Sequence, residues 1–517
     1  MGRIPLVACG ALCGVLGAGC AQIFGLDTTS GPTTTVTPDA PPGTVTLQVV
    51  RRSIGATVSD NPADVTTLPA ANWLVTGSDG SLTRVQAALL GSDTWDGPIP
   101  EGSPPVEFTM GSDYPDEYRR LLVLGQRNVK FLYAIYEHPN PQPPPATPDS
   151  FTVNMTLASA YATGDAFYCE AIGGWAYHPF NGAELPAPDM GLVAISAPET
   201  YAPYDGTTGA GFVAWSGRPL DAITTADTLV GLHYRGNELI EAGEFPAFDE
   251  GSGTTSISEM MVLLTTAALD VTVHPDTVAQ RLGATRPAGT SLAMNWSVVA
   301  APGFATASGL GPTLDSGAET AAGSGAAAAI TAPYGNPFAS RNWGAMIQWV
   351  SSNTRSVTLT GGGAAYGAVS GGFEDFATVS AGLDLNTPAP LPITISINGT
   401  ALVADNMTVP LDLTKPVTLQ IDQDTNSAPT LYQFNVYNMV LDAPSNTWIP
   451  HVAYVAQTTA NTVVLPNDVF VDGNVYMIRG HTLVGGYPGI ATGDLTMRQL
   501  PYSIAYLDGG IFTAKAQ

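Results

Sequence analysis

Residues able to carry chemistry are few and scattered along this 517-residue chain. Its six histidines are His138, His178, His233, His274, His451 and His481. No two stand at the short spacing that sets a pair of imidazoles on one metal ion. The patterns His-Glu-x-x-His, Gly-x-Ser-x-Gly, Gly-x-x-x-x-Gly-Lys and Cys-x-x-Cys are missing, which disfavours the familiar zinc hydrolases, serine esterases, phosphate-loop proteins and thiol oxidoreductases. With 44 acidic residues, two distant carboxylates could still converge as they do in glycosidases, but no pair stands out. The run Asp422-x-Asp424-x-Asn426 offers oxygens at alternate positions, as a calcium loop does. Ser427 occupies the place that needs glycine, and Gln433 the place of the bidentate carboxylate, so the run reads as a polar loop between strands. Trp343 and Trp349 bracket residues 344–348 and would offer sugar-stacking platforms if exposed, although their spacing favours a place in a core. No catalytic residue, metal site or cofactor is expected.

The elements that must position these residues are strands. From Val45 onward the chain shows period-2 alternation, abundant Thr and Val, and turns rich in Gly, Pro and Asp-Gly. In residues 45–50, Val45, Leu47 and Val49 point one way while Thr46 and Gln48 point the other. Cys169 alternates with Phe167 and Ala171 and reads as a small buried hydrophobe. The fold class expected is all-β, with tandem antiparallel β-sandwich domains. Exceptions are a short helix over 114–122, a helix over 275–283, and a segment at 258–269 that fits a helix or a buried strand equally. The proline-rich run 138–149 reads as a linker. The expected divisions are an amino-terminal sandwich at 44–138, a central β-rich region at 149–386, jelly-roll-like or two units, and a last sandwich at 387–517. Within the central region, 302–333 is rich in Ala, Gly and Ser and reads as a loop with too little bulk for a core.

Composition narrows the partners. Hydrophobic residues are 44 % and charged residues 12 %, with 18 Lys and Arg and a formal net charge of -26. So few cations disfavour nucleic acid, whose binding rests on clustered positive charge. The acidity reads as a device for solubility rather than for holding calcium.

Arg3 precedes an uncharged apolar stretch from Ile4 to Ala18 that is too short to span a bilayer, the pattern of a removable signal peptide over 1–19. Gly17-Ala18-Gly19-Cys20, with Leu16 one place further out than usual, resembles the lipobox of bacterial lipoproteins. That resemblance implies acylation of the Cys20 sulfur and, with Ala21 following, residence at the outer membrane. Residues 20–43, dominated from Asp27 onward by Thr, Pro, Gly and Ser, then form a disordered tether. Cys9 and Cys13 leave with the signal and Cys169 stands alone, so no internal disulfide is expected.

The last region carries a fold resemblance. Residues 416–424, 431–442, 451–459, 461–484 and 503–514 follow in the order of strands of a fibronectin type III domain. Leu465-Pro466, the Asp472-Gly473 turn and Tyr476 resemble that family's E strand, turn and tyrosine corner. A sandwich of this kind implies no particular activity. The expectation is therefore a membrane-anchored envelope protein held by lipid on Cys20, with a binding, adhesion or structural role toward extracellular polysaccharide or an envelope protein. A secreted-type enzyme or binding module acting on polysaccharide is the alternative.

Overall fold

The structure is a computed structural model. It describes residues 43–54, 58–110, 118–137, 149–171, 176–180, 194–201, 213–214, 222–225, 227–246, 248–251, 256–274, 281, 291–302, 313–320, 328–341, 343–375, 383–385, 388–403, 405–424, 428–497 and 499–517. The signal, Cys20, the tether before residue 43, most of the proline-rich run and most of 275–283 lie outside these residues.

Strand formation follows the alternation. Val45, Leu47 and Val49 are fully buried while Thr46 and Gln48 are half-buried. Their strand, Val45–Ile54, is flanked by Thr94–Gly97 and Val58–Pro62 in antiparallel pairing and by Asn128–Glu137 in parallel pairing. Throughout the described residues the chain is all-β; its helical pieces are short turns such as Ala339–Arg341 and Asn467–Val469, and Arg281, in the span expected as a helix, is helical.

One sheet of 14 strands runs through all three regions. Its main path is Thr313–Thr320, Ser291–Pro302, Trp343–Leu359, Gly362–Asp375, Gln499–Asp508, Val475–Gly486, Leu431–Asp442, Thr447–Thr458, Tyr118–Val123, Val106–Met110, Asn72–Thr76 and Leu82–Gln86, and off it Phe512–Ala516 pairs with Val475–Gly486 and with Met407–Leu411. Two joints cross the expected divisions. Tyr118–Val123 pairs in parallel with Thr447–Thr458, from Arg119 opposite Tyr454 to Val123 opposite Thr458. Gly362–Asp375 pairs antiparallel with Gln499–Asp508. The amino-terminal and last regions also share cores: Leu431, Leu483, Tyr502 and Ile504 pack with Val45, Trp73 and Phe108, and Leu74 and Leu121 pack with Ile395, Phe434 and Ile478. Residues 44–137 and 387–517 are thus described together as the terminal unit.

Within 387–517 a second sheet, ordered Thr400–Ala401, Pro392–Ile397, Val417–Gln423 and Thr462–Leu465, belongs to the same core as the large sheet. Ile395, Leu419 and Ile421 come from the smaller sheet, and Phe434, Val436 and Ile478 from the larger. The Tyr476 hydroxyl accepts a hydrogen bond of 2.9 Å from the Val471 amide, tying the connecting loop to the sandwich.

Two expectations are corrected. The helix expected over 114–122 is a strand where described, Tyr118–Val123, because Arg120 and Leu121 enter two different buried environments that only an extended backbone serves. The loop expected over 302–333 contains the strands Thr313–Thr320 and Ala328–Tyr334. Its small residues suit a large neighbour: a Cβ added at Gly317 would lie 2.6 Å from the Trp296 ring, so the ring supplies the bulk the segment lacks. The open choice at 258–269 resolves to short strands at Ser256–Met260 and Val262–Leu263 and the start of Ala267–Val273.

Candidate functional site

Trp343 and Trp349, the candidates for stacking a sugar, are each 3 % exposed. Both belong to the core of the central region, and Trp343 lies 4.9 Å from the Phe338 ring centroid. Trp349 stands opposite Trp296 on one neighbouring strand and Gly372 on the other, and Trp296 stands opposite Gly317. A row Gly317–Trp296–Trp349–Gly372 therefore crosses four strands with each indole seated over a glycine. A Cβ at Gly372 would meet the Trp349 ring at 2.4 Å. Neither tryptophan is available as a stacking platform in this structure.

Asp424 accepts both Nε and an Nη of Arg281, at 2.7 and 3.1 Å, and the Leu391 amide at 3.0 Å. Asp422 accepts from Gln420 at 2.9 Å. Asp424 thus pairs with Arg281 and Asp422 with Gln420 of its own strand; Asn426 and Ser427 lie outside the described residues. Among the described residues no group of three or more His, Cys, Asp or Glu is placed to hold a metal ion. Cys169 is fully buried, as its alternation with Phe167 and Ala171 requires.

Two sets of polar side chains that the sequence left unlinked come together. The first crosses the terminal unit. Arg120, 1 % exposed, donates to Gln457 at 3.1 Å; Gln457 donates to Gln433 at 2.9 Å; and Gln433 donates to Asn435 at 2.9 Å. Asn435 meets Tyr437 Oη at 3.1 Å and His481 Nε2 at 3.3 Å. Beside them Arg479 grips buried Asp508 with two nitrogens, and its guanidinium lies 4.2 Å from the Tyr506 ring centroid. Burial, with the Arg479 charge nearby, holds the His481 imidazole well below its usual pKa, so it is neutral. At the parallel joint, buried Glu107 accepts from Arg84 at 2.7 and 3.2 Å and from Tyr454 Oη at 2.7 Å. Asp468 bridges Arg84 and Arg119 at 2.9 Å each. These groups join residues more than 300 positions apart.

The second set lies in the central region, on the two faces of the sheet containing Asp165–Ala171, Leu229–Arg235 and Glu238–Phe245. On one face His233 is fully buried, stacked on Phe167 with centroids 4.2 Å apart. Its Nε2 meets Asp165 at 2.8 Å, and its Nδ1 lies 3.5 Å from Glu241. Burial would raise the Asp165 carboxyl, but Arg235 and His233 outweigh it and hold the group at about 2. Glu241, which also accepts from the Ser159 hydroxyl and the Ala158 and Ser159 amides, is likewise held below its usual range against the effect of burial. The other face carries Tyr168, Glu170 and Tyr234. Burial lifts the Glu170 carboxyl to about 8. Across the core, Asp315 is 6 % exposed and raised to about 7 by burial, with Glu238 adding to the rise and the Ser316 amide opposing it.

Ser159 donates to a carboxylate and makes no bond to His233, so the Ser-His-acid order of a hydrolase is not built. The His233 cluster closes the 157–165 turn onto its sheet; the terminal set fixes strand register. Glu170 and Asp315 differ in being acids that take up protons near neutrality. The alternation Phe167, Cys169, Ala171 already put Glu170 on the opposite face, where it and Tyr168 are half-buried. No protein-family model matches the chain, and no curated protein matches it in sequence.

Proposed function

We propose that this chain is a non-catalytic, lipid-anchored envelope protein, held at the outer membrane through Cys20, whose body binds or braces an extracellular partner. The observation carrying this reading is that the side chains best suited to chemistry are committed to one another across strands, within a sheet that joins all three regions. Such a body is suited to holding a shape at the end of a tether. Residues 387–517 we take as a fibronectin type III-like sandwich. The strand orders of its two sheets and the Tyr476–Val471 hydrogen bond support this. The partner class is an extracellular polysaccharide or an envelope protein.

Membrane fractionation of the wild type and Cys20→Ser tests the anchor, with release of the variant to the soluble fraction expected. A variant that stays with the membrane as before would overturn it. Pull-down on immobilised polysaccharides and on envelope proteins tests the role.

A second reading, an enzyme acting on polysaccharide, draws on Glu170 and Asp315, since a carboxyl held protonated near neutrality is what a general acid requires. Loss of measurable polysaccharide cleavage in Glu170→Gln and Asp315→Asn would favour it.

A further inference from the structure

The two most exposed large apolar side chains among the described residues, Met260 at 67 % and Val262 at 61 %, stand beside Leu263 at 53 %. From Met260 to Leu269 the chain carries no charge, although its formal total is -26. These side chains are held outward by their neighbours. Met261 between them is 1 % exposed and belongs to the core; a Cβ at Gly231 or Gly243 would lie 3.1 or 3.2 Å from its sulfur, so both glycines make room for it. The Met261 amide donates to the Thr156 carbonyl at 2.8 Å, and the Leu264 amide to the Ile240 carbonyl at 2.9 Å. Among the described residues Ser256–Met260 is the last strand of a three-stranded sheet and Val262–Leu263 the last of a six-stranded one, so they form a ridge where two sheets end.

We propose that this ridge is a second membrane contact, seating Met260, Val262 and Leu263 in the headgroup layer of the bilayer that holds Cys20. The nearness of that bilayer rests on the anchored reading above. Three aliphatic side chains expose a few hundred Å², short of the about 800 Å² per partner that a stable protein interface buries. They also lack the Trp, Tyr and Arg that carry most of the energy in such interfaces. Lipid asks only for uncharged aliphatic side chains, and Thr265 and Thr266 are exposed beside them to meet the headgroups. At headgroup depth the open strand edges keep their water.

The segment before the body supplies the reach. Residues 21–43 span at most about 80 Å when extended, whereas the strands along the path of the large sheet, about 4.8 Å apart, cover about 55 Å. The central region can thus be drawn to the surface that holds the lipid, at an effective concentration on the order of millimolar. Three side chains bind weakly alone; joined to the anchor, they set which way the body lies on the bilayer.

The test places a fluorescent thiol label at Leu263→Cys in the acylated chain, reconstituted in phosphatidylcholine vesicles whose acyl chains carry a nitroxide near the headgroup. Acylation occupies Cys20 and Cys169 is fully buried, so the introduced thiol is the one that reacts. A matched label at Val464→Cys, 44 % exposed on the second sheet of residues 387–517, is the control. At 263 the nitroxide should remove about half or more of the emission, and at 464 less than about a tenth. Val262→Asp in the labelled chain should abolish quenching at 263 and leave the far-ultraviolet circular dichroism unchanged. Emission untouched at 263, or quenched equally at both sites, overturns the contact. A chain that does not float with the vesicles refutes the anchor instead, and the ridge is then decided with Cys20→Ser protein and added vesicles: quenching confined to 263 supports it, and none overturns it.

Discussion

Buried charge is handled differently in the terminal unit and in the central region. In the terminal unit Glu107 faces Arg84, Asp508 faces Arg479, and Arg120 heads a row of amides. In the central region His233 and Arg235 satisfy Asp165, but among the described residues no Arg or Lys acts on Glu170 or Asp315. A matched pair fixes where strands sit, because a one-residue slip would strand a charge in the interior. An unmatched acid fixes nothing in this way; it makes the packing depend on a proton. The two solutions also give opposite pH slopes near neutrality. Neutral His481 must be kept from protonation, so the terminal unit loses stability as pH falls below about 6.5. In the central region the raised Asp315 carboxyl gives the other slope, its contribution declining as pH rises from 3.8 to about 7.

The largest expected effect breaks the matched side of this comparison. Glu107→Ala leaves the buried Tyr454 hydroxyl without its acceptor and Arg84 with Asp468 alone, at the parallel joint. A loss of about 2–3 kcal/mol in urea unfolding is expected; a loss under about 1 kcal/mol would mean that the pairing does not hold the unit together. Next comes Gly372→Ala, whose Cβ would lie 2.4 Å from the Trp349 ring. Overpacking of this kind costs about 1–3 kcal/mol, read as a lower melting temperature of the central region. A smaller effect sharpens the contrast in slopes. His481→Gln removes the group that resists protonation, so the decline in stability between pH 6.5 and 5 should flatten, in thermal melts that leave the central region's alkaline decline intact. The smallest is Asp424→Asn, which breaks a half-buried ion pair with Arg281 and should cost about 1 kcal/mol or less, an effect that high salt reproduces.

Much of the local structure was legible. Val45–Val49, Phe167–Ala171 and Leu431–Asp442 alternate so plainly that strand and facing follow from residue type alone. The spacing of Trp343 and Trp349 likewise favoured a core, and both are buried there. What the sequence hid is partnership at a distance. Nothing near Arg120 announces Gln457, so 114–122 resembles a helix until the strand Thr447–Thr458 is set beside Tyr118–Val123. Thr313–Thr320 lacks large residues, and its place in a sheet rests on Trp296 of the neighbouring strand. Glu170 is one acid among 44; its distinction comes from desolvation in the fold.

The parallel joint also governs the order in which the molecule can be completed. Arg120 leaves the ribosome 337 residues before Gln457, so the first strands to emerge must wait for nearly the last before their edge is closed. Contacts so distant along the chain form slowly and leave strand edges open to aggregation meanwhile. Refolding of the full chain is therefore expected to be slow and to gain in yield where dilution suppresses aggregation.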